Sequence, residues 1–556
     1  MKLQRVSFHG ALRGSTSHIQ VTRAVLALGA VLALGACSVT PDALTLADHA
    51  QRMENDALAL YQEQEPITAP ITLEEAVARA LKYNMDQRLK LMETALANHQ
   101  LTSANLSMLP SLTASAGYTG RNNKSGSNSV SLTTGQESLE SSSSTDRDVK
   151  TFDLTLTWNI LDLGMSYVRA NQSADRVLIT EERRRKVTQT VIQSVRDAYW
   201  SAVSAERLLT KIEPLTVQVN QALDDARKAQ QQGAEDPLEP LRYRRELLDT
   251  SRQLKILTRE LSGAKFQLAA LMNLKPGTPF TLDPSTVDAK VPQFELDVEQ
   301  LERMALVHRP ELREEDYQDR ISHQDVKLAY MGMIPGLSVN TGYNVNTNSY
   351  AWERDWYSWG GSITSNLFNV FTGPENVAMA KASTEVVKTR RMAMSMAVLS
   401  QVRVAVASYN QAISEFKTAN EMTEVEYEIL SKIRADVQSG SGGARDVIRT
   451  EMQALLSELR QDIAFSSVRS AVGRMYVSIG ADPLPETVQS HDLKDIASAF
   501  KKVNDDWFRG QFDLADPITL SQQDDEAVSV AADEKPSAES DVSDWFASLF
   551  NDDKAN

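Results

Sequence analysis

The sequence predicts an α+β membrane protein in which the strands of a β-barrel continue directly into long helices. Residues 357–367 alternate between an apolar or aromatic face and a small, polar face, and a very long helical pattern follows them. A near copy of this arrangement lies earlier, at residues 152–169. An amphipathic strand that runs straight into a long helix, twice in one chain, indicates a membrane barrel extended by a helical tube.

Two further strands are predicted at residues 111–120 and 336–346, each in a hairpin with the strand that follows it. Strands of about ten residues have the length of a tilted membrane-spanning strand. Four strands cannot close a barrel and lipid does not tolerate an open sheet edge, so several chains must share one barrel. The alternative, a soluble β-sandwich face, would not explain the strand-to-helix continuity. The aromatic residues expected to face lipid or its interface are Tyr118, Phe152, Trp158, Tyr343, Tyr357 and Trp359.

The helical segments form two long hairpins. The first ascends to about residue 232, turns at residues 233–237 and returns over residues 238–271, where leucines recur every seven residues in a coiled-coil pattern. Pro214 is expected to kink or break the first of its helices. The second hairpin turns at residues 439–443.

Each long hairpin follows a β-hairpin, and each β-hairpin follows another helix. These two leading helices are predicted at residues 73–109 and 298–333, whereas residues 41–70 have an irregular, polar pattern. The plan of helix, β-hairpin and long helical hairpin therefore occurs twice, as two internal repeats.

The first 37 residues have the pattern of a bacterial lipoprotein signal. Arg23 precedes a short apolar segment, residues 24–36, that is too short to span a bilayer as a helix. Leu34–Cys37 resembles a lipobox, in which Cys37, the one cysteine, is lipidated and becomes the mature N-terminus. The alternative is an ordinary signal peptide cut nearby. Beyond this segment, no second apolar stretch of transmembrane length is expected.

Charge and motif content exclude several functions. The formal net charge is −16, and −20 without the leader, which argues against a nucleic-acid partner. The tail, residues 515–556, is acidic and expected to be disordered, with an apolar end that indicates either a docking segment or merely a sticky terminus. The seven histidines are scattered, and the sequence holds no HExxH, CxxC, Walker or nucleophile-elbow motif. We therefore expect no enzyme activity, no cofactor and no metal.

The ordered set of motifs resembles the TolC family of outer-membrane channels, and within it the lipid-anchored, OprM-like branch. The resemblance covers about residues 72–485. It is carried by the glycine tips and by Leu73–Val77, Leu109–Leu112, Trp158–Gly164 and Asn366–Gly373. It implies a homotrimer in the Gram-negative outer membrane, lipid-anchored, with a periplasmic helical tunnel, a periplasmic adaptor and an inner-membrane pump as partners.

The resemblance also implies a division of the chain into repeats and an equatorial belt built from the termini and the linker. The predicted segments are 1–37 (signal peptide with lipobox), 38–71 (N-terminal equatorial segment), 72–272 (repeat 1), 273–297 (equatorial linker), 298–480 (repeat 2), 481–514 (C-terminal equatorial segment) and 515–556 (acidic tail).

A periplasmic gate is implied at the tips. Asp446 lies six residues after Gly440 and falls on the first gate aspartate of the family, whereas Arg449 stands where a second aspartate is usual. An Asp446–Arg449 pair, an inter-chain pair and a simple acidic helix start remain open. The other candidate tip residues are Gly233, Glu239, Gly442 and Gly443.

The function implied is a passive exit duct of a tripartite efflux or type I secretion system. It would pass substrates from the pump and adaptor to the outside. The alternative is a non-channel coiled-coil lipoprotein that spans the periplasm as a structural element.

Overall fold

The computed structural model describes residues 41–61, 64–138, 140–231, 238–283, 297–441, 443–484 and 492–511. The chain divides into two units, one ending at Glu63 and one beginning at Gln64. In the first unit, helix α1 spans Leu46–Tyr61, so the irregular pattern expected there is wrong. Asp48 accepts hydrogen bonds from the amide and hydroxyl of Thr45, at 2.7 and 2.8 Å, and this contact fixes the first turn.

A four-stranded antiparallel sheet stands at one end of the second unit. Its strands are β1 (Ser111–Gly120), β2 (Asp148–Asn159), β3 (Gly336–Asn346) and β4 (Asp355–Thr364), in the order β1-β2-β3-β4. All four predicted strands are therefore present, and the β2–β3 pairing joins the two repeats.

One face of the sheet carries large apolar side chains. Leu154 is opposite Tyr343, and Tyr343 is opposite Tyr357, with 5.1 Å between the two tyrosine ring centroids. Tyr357 and Trp359 are 81% and 87% exposed. A sheet that presents such residues outward fits a lipid-facing barrel wall.

Four long helices form the two hairpins. They are α4 (Ile160–Gln231), α5 (Leu238–Leu271), α8 (Asn369–Gln438) and α9 (Ala444–Ser478). α4 begins at the residue after β2. It runs through Pro214 without ending, so of the predicted kink or break the break is wrong. Buried Ile212 and Leu215 anchor the helix on both sides of the proline. The four heptad leucines of α5 are buried, as predicted.

The two leading helices are each divided in the structure. The pairs are α2 (Leu73–Tyr83) with α3 (Met85–Leu106), and α6 (Val298–His308) with α7 (Pro310–Met331). The predicted uninterrupted helices are therefore wrong.

Both breaks have a local cause. The Asn84 side chain caps α3 by accepting from the amides of Asp86 and Gln87, at 2.9 and 3.3 Å. Arg309 is extended before Pro310, as residues that precede proline usually are. Its guanidinium donates to the Val477 carbonyl at 3.3 Å, so the break is also held by tertiary contact.

The last described helix, α10 (Leu493–Phe508), packs on the bundle around two arginines. Arg196 is 2% exposed, lies 5.3 Å from the ring centroids of both Phe500 and Trp507, and donates to Asn504 at 2.7 Å. Burial lowers the pKa of Arg196 to about 10, which leaves it charged near neutral pH. Arg469 stacks on Phe508 at 4.3 Å. Aromatic faces thus replace much of the water that these cations lose.

By length and composition, one described helix, α8, is apolar enough to cross a membrane. The sequence predicts no such helix. Only 28% of its apolar window is buried within the chain, and the buried residues of α8 include Val398, Val402 and Tyr409, which lie in a core cluster with residues of α6, α9 and α10.

A tight turn follows α9 and touches the α6–α7 break. Gly480 has φ +85°, and its amide donates to Val477 while Ala481 donates to Tyr476, which forms a Schellman turn. A Cβ on Gly480 would lie 2.5 Å from the carbonyl carbon of His308. The close approach of two backbones therefore requires glycine here.

We predict that Gly480→Ala lowers the free energy of unfolding by about 2–4 kcal/mol, through left-handed strain and backbone overlap. Gly277→Ala is the matched control, because Gly277 has φ +86° and no heavy atom within 4 Å of its Cβ position. It should cost about 1 kcal/mol. Urea unfolding of both variants measures the difference; equal losses would show that the contact with His308 does not matter.

Candidate functional site at the helical tips

The second hairpin turns at Gly440, where the backbone conformation favours glycine. Gly440 has φ +81°, and it follows the last turn of α8 in a Schellman arrangement: its amide donates to Val437 and the Ser441 amide donates to Asp436. The Ser439 and Ser441 hydroxyls also donate to the Asp436 carbonyl, at 2.9 and 3.0 Å. No heavy atom lies within 4 Å of a Cβ built on Gly440.

The predicted gate acid lies in the first turn of α9. Gly443 occupies the N-cap position without a side-chain cap, and the Asp446 amide donates to the Gly443 carbonyl at 3.0 Å. Asp446 and Arg449 are both exposed. Among the described residues, the protomer shows no ion pair between Asp446 and Arg449. An acid in this turn interacts favourably with the helix dipole whatever its further role.

The other predicted residues are less well defined. Glu239 lies in the first turn of α5, and its side chain is not among those described. Gly233, Gly442 and the proposed lipid-bearing Cys37 fall outside the described residues.

An ion pair that was not predicted from the sequence joins the two tips. Arg445 on α9 donates twice to Glu246 Oε2 on α5, at 2.6 and 3.0 Å, and its guanidinium lies 5.6 Å from the Tyr243 ring centroid. The side chains of Arg445 and Glu246 are 43% and 31% exposed. The sequence offers no signal for this pair, because its members are 199 residues apart.

A second, more buried network joins the hairpins further from the tips. Glu458 of α9 is 6% exposed; it accepts from Lys211 Nζ of α4 at 2.6 Å and from the Tyr427 hydroxyl of α8, also at 2.6 Å. Burial lowers the pKa of Lys211, but the hydrogen bond and charge of Glu458 together with the Tyr427 hydroxyl outweigh burial, so the pKa is raised. Arg207 of α4 pairs with Asp462 of α9 and lies 3.7 Å from Glu458.

The chain matches the family described as outer membrane efflux protein over residues 77–274 and 301–481. These matched ranges cover more than half of the chain and coincide with its two repeats. The protein therefore belongs to the outer membrane efflux protein family, and it is an exit duct of the outer membrane. No curated protein sequence matches the chain.

Solved structures of the same fold are outer-membrane channels. The chain is similar to the open state of the MtrE channel of Neisseria gonorrhoeae, with a TM-score of 0.59, 17% identity, and 73% of this chain and 88% of that one covered. The chain is also similar to the CmeC channel of Campylobacter jejuni, with a TM-score of 0.57, 14% identity, and 84% of this chain and 97% of that one covered. A third similar structure is the outer membrane protein VceC of Vibrio cholerae, with a TM-score of 0.55, 14% identity, and 73% of this chain and 96% of that one covered.

These comparisons and the sheet confirm the predicted fold class. It is a four-strand contribution to an outer-membrane β-barrel, continued by a long helical tunnel and built from two repeats. Family membership favours the duct over the non-channel structural lipoprotein.

We predict that Arg445→Glu raises single-channel conductance in planar bilayers, because like charges then separate the two tips. Each such half-exposed pair contributes under about 1 kcal/mol, so the reversal weakens the tip contact without unfolding the chain. Adding Glu246→Arg to Arg445→Glu should restore the wild-type value.

Arg434→Glu is the matched control. Arg434 Nη2 lies 2.5 Å from Glu451 Oε1, and both residues belong to the second hairpin, so this pair does not join the two tips. An equal conductance increase in this control, or no recovery in the double variant, would show that the Arg445–Glu246 pair does not hold the tips together.

Proposed function

We propose that three copies of the chain close one barrel and one helical tunnel, and that this trimer is the exit duct of a tripartite efflux system. The open sheet is the observation that carries the proposal. Within the described residues, β1 and β4 each pair on one side only. Unpaired backbone groups at a lipid-exposed edge cost several kcal/mol each, so both edges need a neighbouring chain.

We propose that the duct works with a periplasmic adaptor and an inner-membrane pump. The helical tips lie at the end of the chain opposite the strands, and they are the part that approaches the inner membrane. Exposed polar groups on the tip, among them Ser439, Asp446 and Arg449, give an adaptor a hydrophilic surface to contact. Substrates would enter there and leave through the barrel.

We propose an equatorial belt around the middle of the helices. Support comes from the described ends of the predicted segments. Ile71 and Leu282 form a parallel bridge, with the Ile71 amide donating to Thr281 at 2.8 Å and the Asp283 amide donating to Ile71 at 3.0 Å. Residues 64–71 thus adjoin the linker that follows the first repeat.

We propose that the tips close the tunnel at rest. Around a three-fold axis, Asp446 side chains from three chains converge, and Arg449 one helical turn away pairs with them between chains. Such exposed pairs are individually worth under about 1 kcal/mol, so closure depends on several of them acting together with Arg445–Glu246. Converging carboxylates also favour cations, and divalent cations bridge them.

Asp446→Ala is therefore predicted to raise conductance and to weaken block by divalent cations added from the periplasmic side. Arg449→Ala should raise conductance but keep the block, because the carboxylates remain. Planar-bilayer recording tests both the duct and its gate. If Asp446→Ala changes neither quantity, the acid is only a helix-start residue and the gate lies elsewhere; if the wild-type protein forms no channel at all, the duct proposal fails.

We propose that Cys37 carries the lipid anchor. Cys37→Ser should abolish incorporation of labelled palmitate while the barrel still inserts, because insertion depends on the strands. Incorporation that persists in the variant would refute the anchor, and wild-type protein without label would refute it equally.

A further inference from the structure

The inward face of the sheet is almost uniformly small and uncharged. It carries the odd-numbered residues of β1 and β2 and the even-numbered residues of β3 and β4, which alternate with the outward apolar set. Along β2 each inward residue is more buried than its outward neighbours. All inward residues are serine, threonine, asparagine or glycine except Val149, Asp153 and Trp356, and Val149 is buried. Asp153 and Trp356 are therefore the one charged and the one aromatic side chain that the described strands offer on this face.

Strand pairing places Asp153 and Trp356 in one row across the sheet. Asn344 of β3 is opposite Asp153 of β2 on one side and opposite Trp356 of β4 on the other. Neighbouring strands lie about 4.8 Å apart, so about 10 Å separates the backbones of Asp153 and Trp356. Ser115 of β1, opposite Asp153, completes the row. The only inward charge and the only inward aromatic ring among the described strand residues thus lie side by side.

A ligand can reach both side chains. Asp153 is half-buried and Trp356 is 44% exposed. The Ser115 hydroxyl donates to Asp153 at 3.4 Å, a long contact, and Asp153 forms no ion pair with any described residue. Arg354, two residues before Trp356, is attracted to Asp146 of the neighbouring loop. Aspartate is disfavoured within strands, so one without a cationic partner in the middle of β2 indicates a role beyond strand formation.

The next row toward the helices is made of short side chains. It contains Thr155, Gly342 and Ser358, and a Cβ on Gly342 would lie 3.2 Å from Thr155 Oγ1 and 3.3 Å from Ser358 Oγ. The Asn344 amide donates to the Ser358 hydroxyl at 2.8 Å, so this amide is engaged with that row. A ligand that spans Asn344 therefore meets no bulky side chain on the helical side of Asp153 and Trp356.

We infer that Asp153 and Trp356 form a site for organic cations that carry an aromatic ring, and that the duct favours such cations among its substrates. The ammonium group lies against the Asp153 carboxylate, and the ring stacks on the Trp356 indole across Asn344. The carboxylate attracts cations and repels anions, while the indole attracts both aromatic faces and positive charge. The inference rests on the proposed duct, because closure of the barrel turns this face toward a lumen.

The inner-face site (Asp153 and Trp356) binds weakly, and weak binding suits a duct. Exposed ion pairs and exposed cation–π contacts each contribute little, so we expect a dissociation constant of about 1–10 mM. A conducting site must attract its substrate and still release it. In a trimer the site occurs once per chain around the lumen, so an organic cation meets three equivalent sites on its way out.

The test is calorimetric titration of the full chain, reconstituted in lipid nanodiscs, with phenethyltrimethylammonium chloride. The charge of this probe is independent of pH, and its ring lies about one strand spacing from the charge. We expect saturable binding, whereas phenethylsulfonate, with the same ring and the opposite charge, should not saturate. Asp153→Asn should weaken binding of the cation about fivefold through loss of the charge. Trp356→Leu should weaken it about threefold through loss of the ring.

Outward residues of the same strands provide matched controls. Asp148→Asn removes an acid of β2 and Trp359→Leu removes an aromatic ring of β4, both on the outward face, so both should bind the cation like wild type. Ser115→Lys keeps both site residues, places a cation opposite Asp153 and should abolish binding, which gives a second measurement if Asp153→Asn does not fold.

Planar-bilayer recording of the same preparations separates this inference from the duct itself. Wild-type protein that conducts ions but shows no saturable binding up to about 50 mM overturns the inference and leaves the duct. Wild-type protein that forms no channel overturns both. The inference also fails if phenethylsulfonate binds equally well, if Ser115→Lys binds like wild type, or if the outward variants lose as much affinity as Asp153→Asn and Trp356→Leu.

Discussion

The structure depends on one constraint: a sheet edge cannot be left unpaired in lipid. The chain supplies four strands with two open edges, so its barrel exists only in association with other copies. Because β2 passes into α4 without an intervening loop, the closure of the barrel also sets where the first helical hairpin begins. β4 leads into α8 after a short turn over residues 365–368. The proposed closure of the barrel by several copies therefore also brings their helical hairpins together.

Periodicity in the sequence was sufficient for the four strands and the four long helices, but it did not indicate α1. Alternation placed all four strands, and the heptad leucines placed α5 at its observed bounds, because both patterns reflect one buried or lipid-facing side. The helix breaks at Asn84 and Arg309 were missed, since helical patterns continue across both positions, although Pro310 is a local signal for the second break. The Asn84 amide reaches the Leu271 carbonyl at 3.3 Å, and Arg309 reaches Gln401 at 2.7 Å. Such distant partners cannot be recognised from local sequence.

The candidate site likewise contains some residues that local sequence could predict and others that it could not. Gly440 was predictable because a reversal between long helices needs a residue that tolerates positive φ, and the glycine-rich stretch supplies it. Asp446 came from resemblance, and its place in the first turn of α9 is as expected. The Arg445–Glu246 pair and the buried network around Glu458 and Asp462 were not predictable. Each depends on how the two repeats pack, and an isolated arginine or aspartate on a long amphipathic helix looks like an ordinary solvated residue.

The contacts between the hairpins at the tips and those further along the helices differ in the free energy needed to break them. At the tips, Arg445 and Glu246 are partly exposed, so water replaces their interaction at a cost under about 1 kcal/mol. In the wall, Glu458 and Asp462 are nearly buried beneath Lys211 and Arg207, and separation would leave charges in a poorly hydrated interior at a cost of about 3–5 kcal/mol. A force that spreads the hairpins therefore separates the tips first. In the proposed gate, the wall network would therefore limit how far along the helices the hairpins separate.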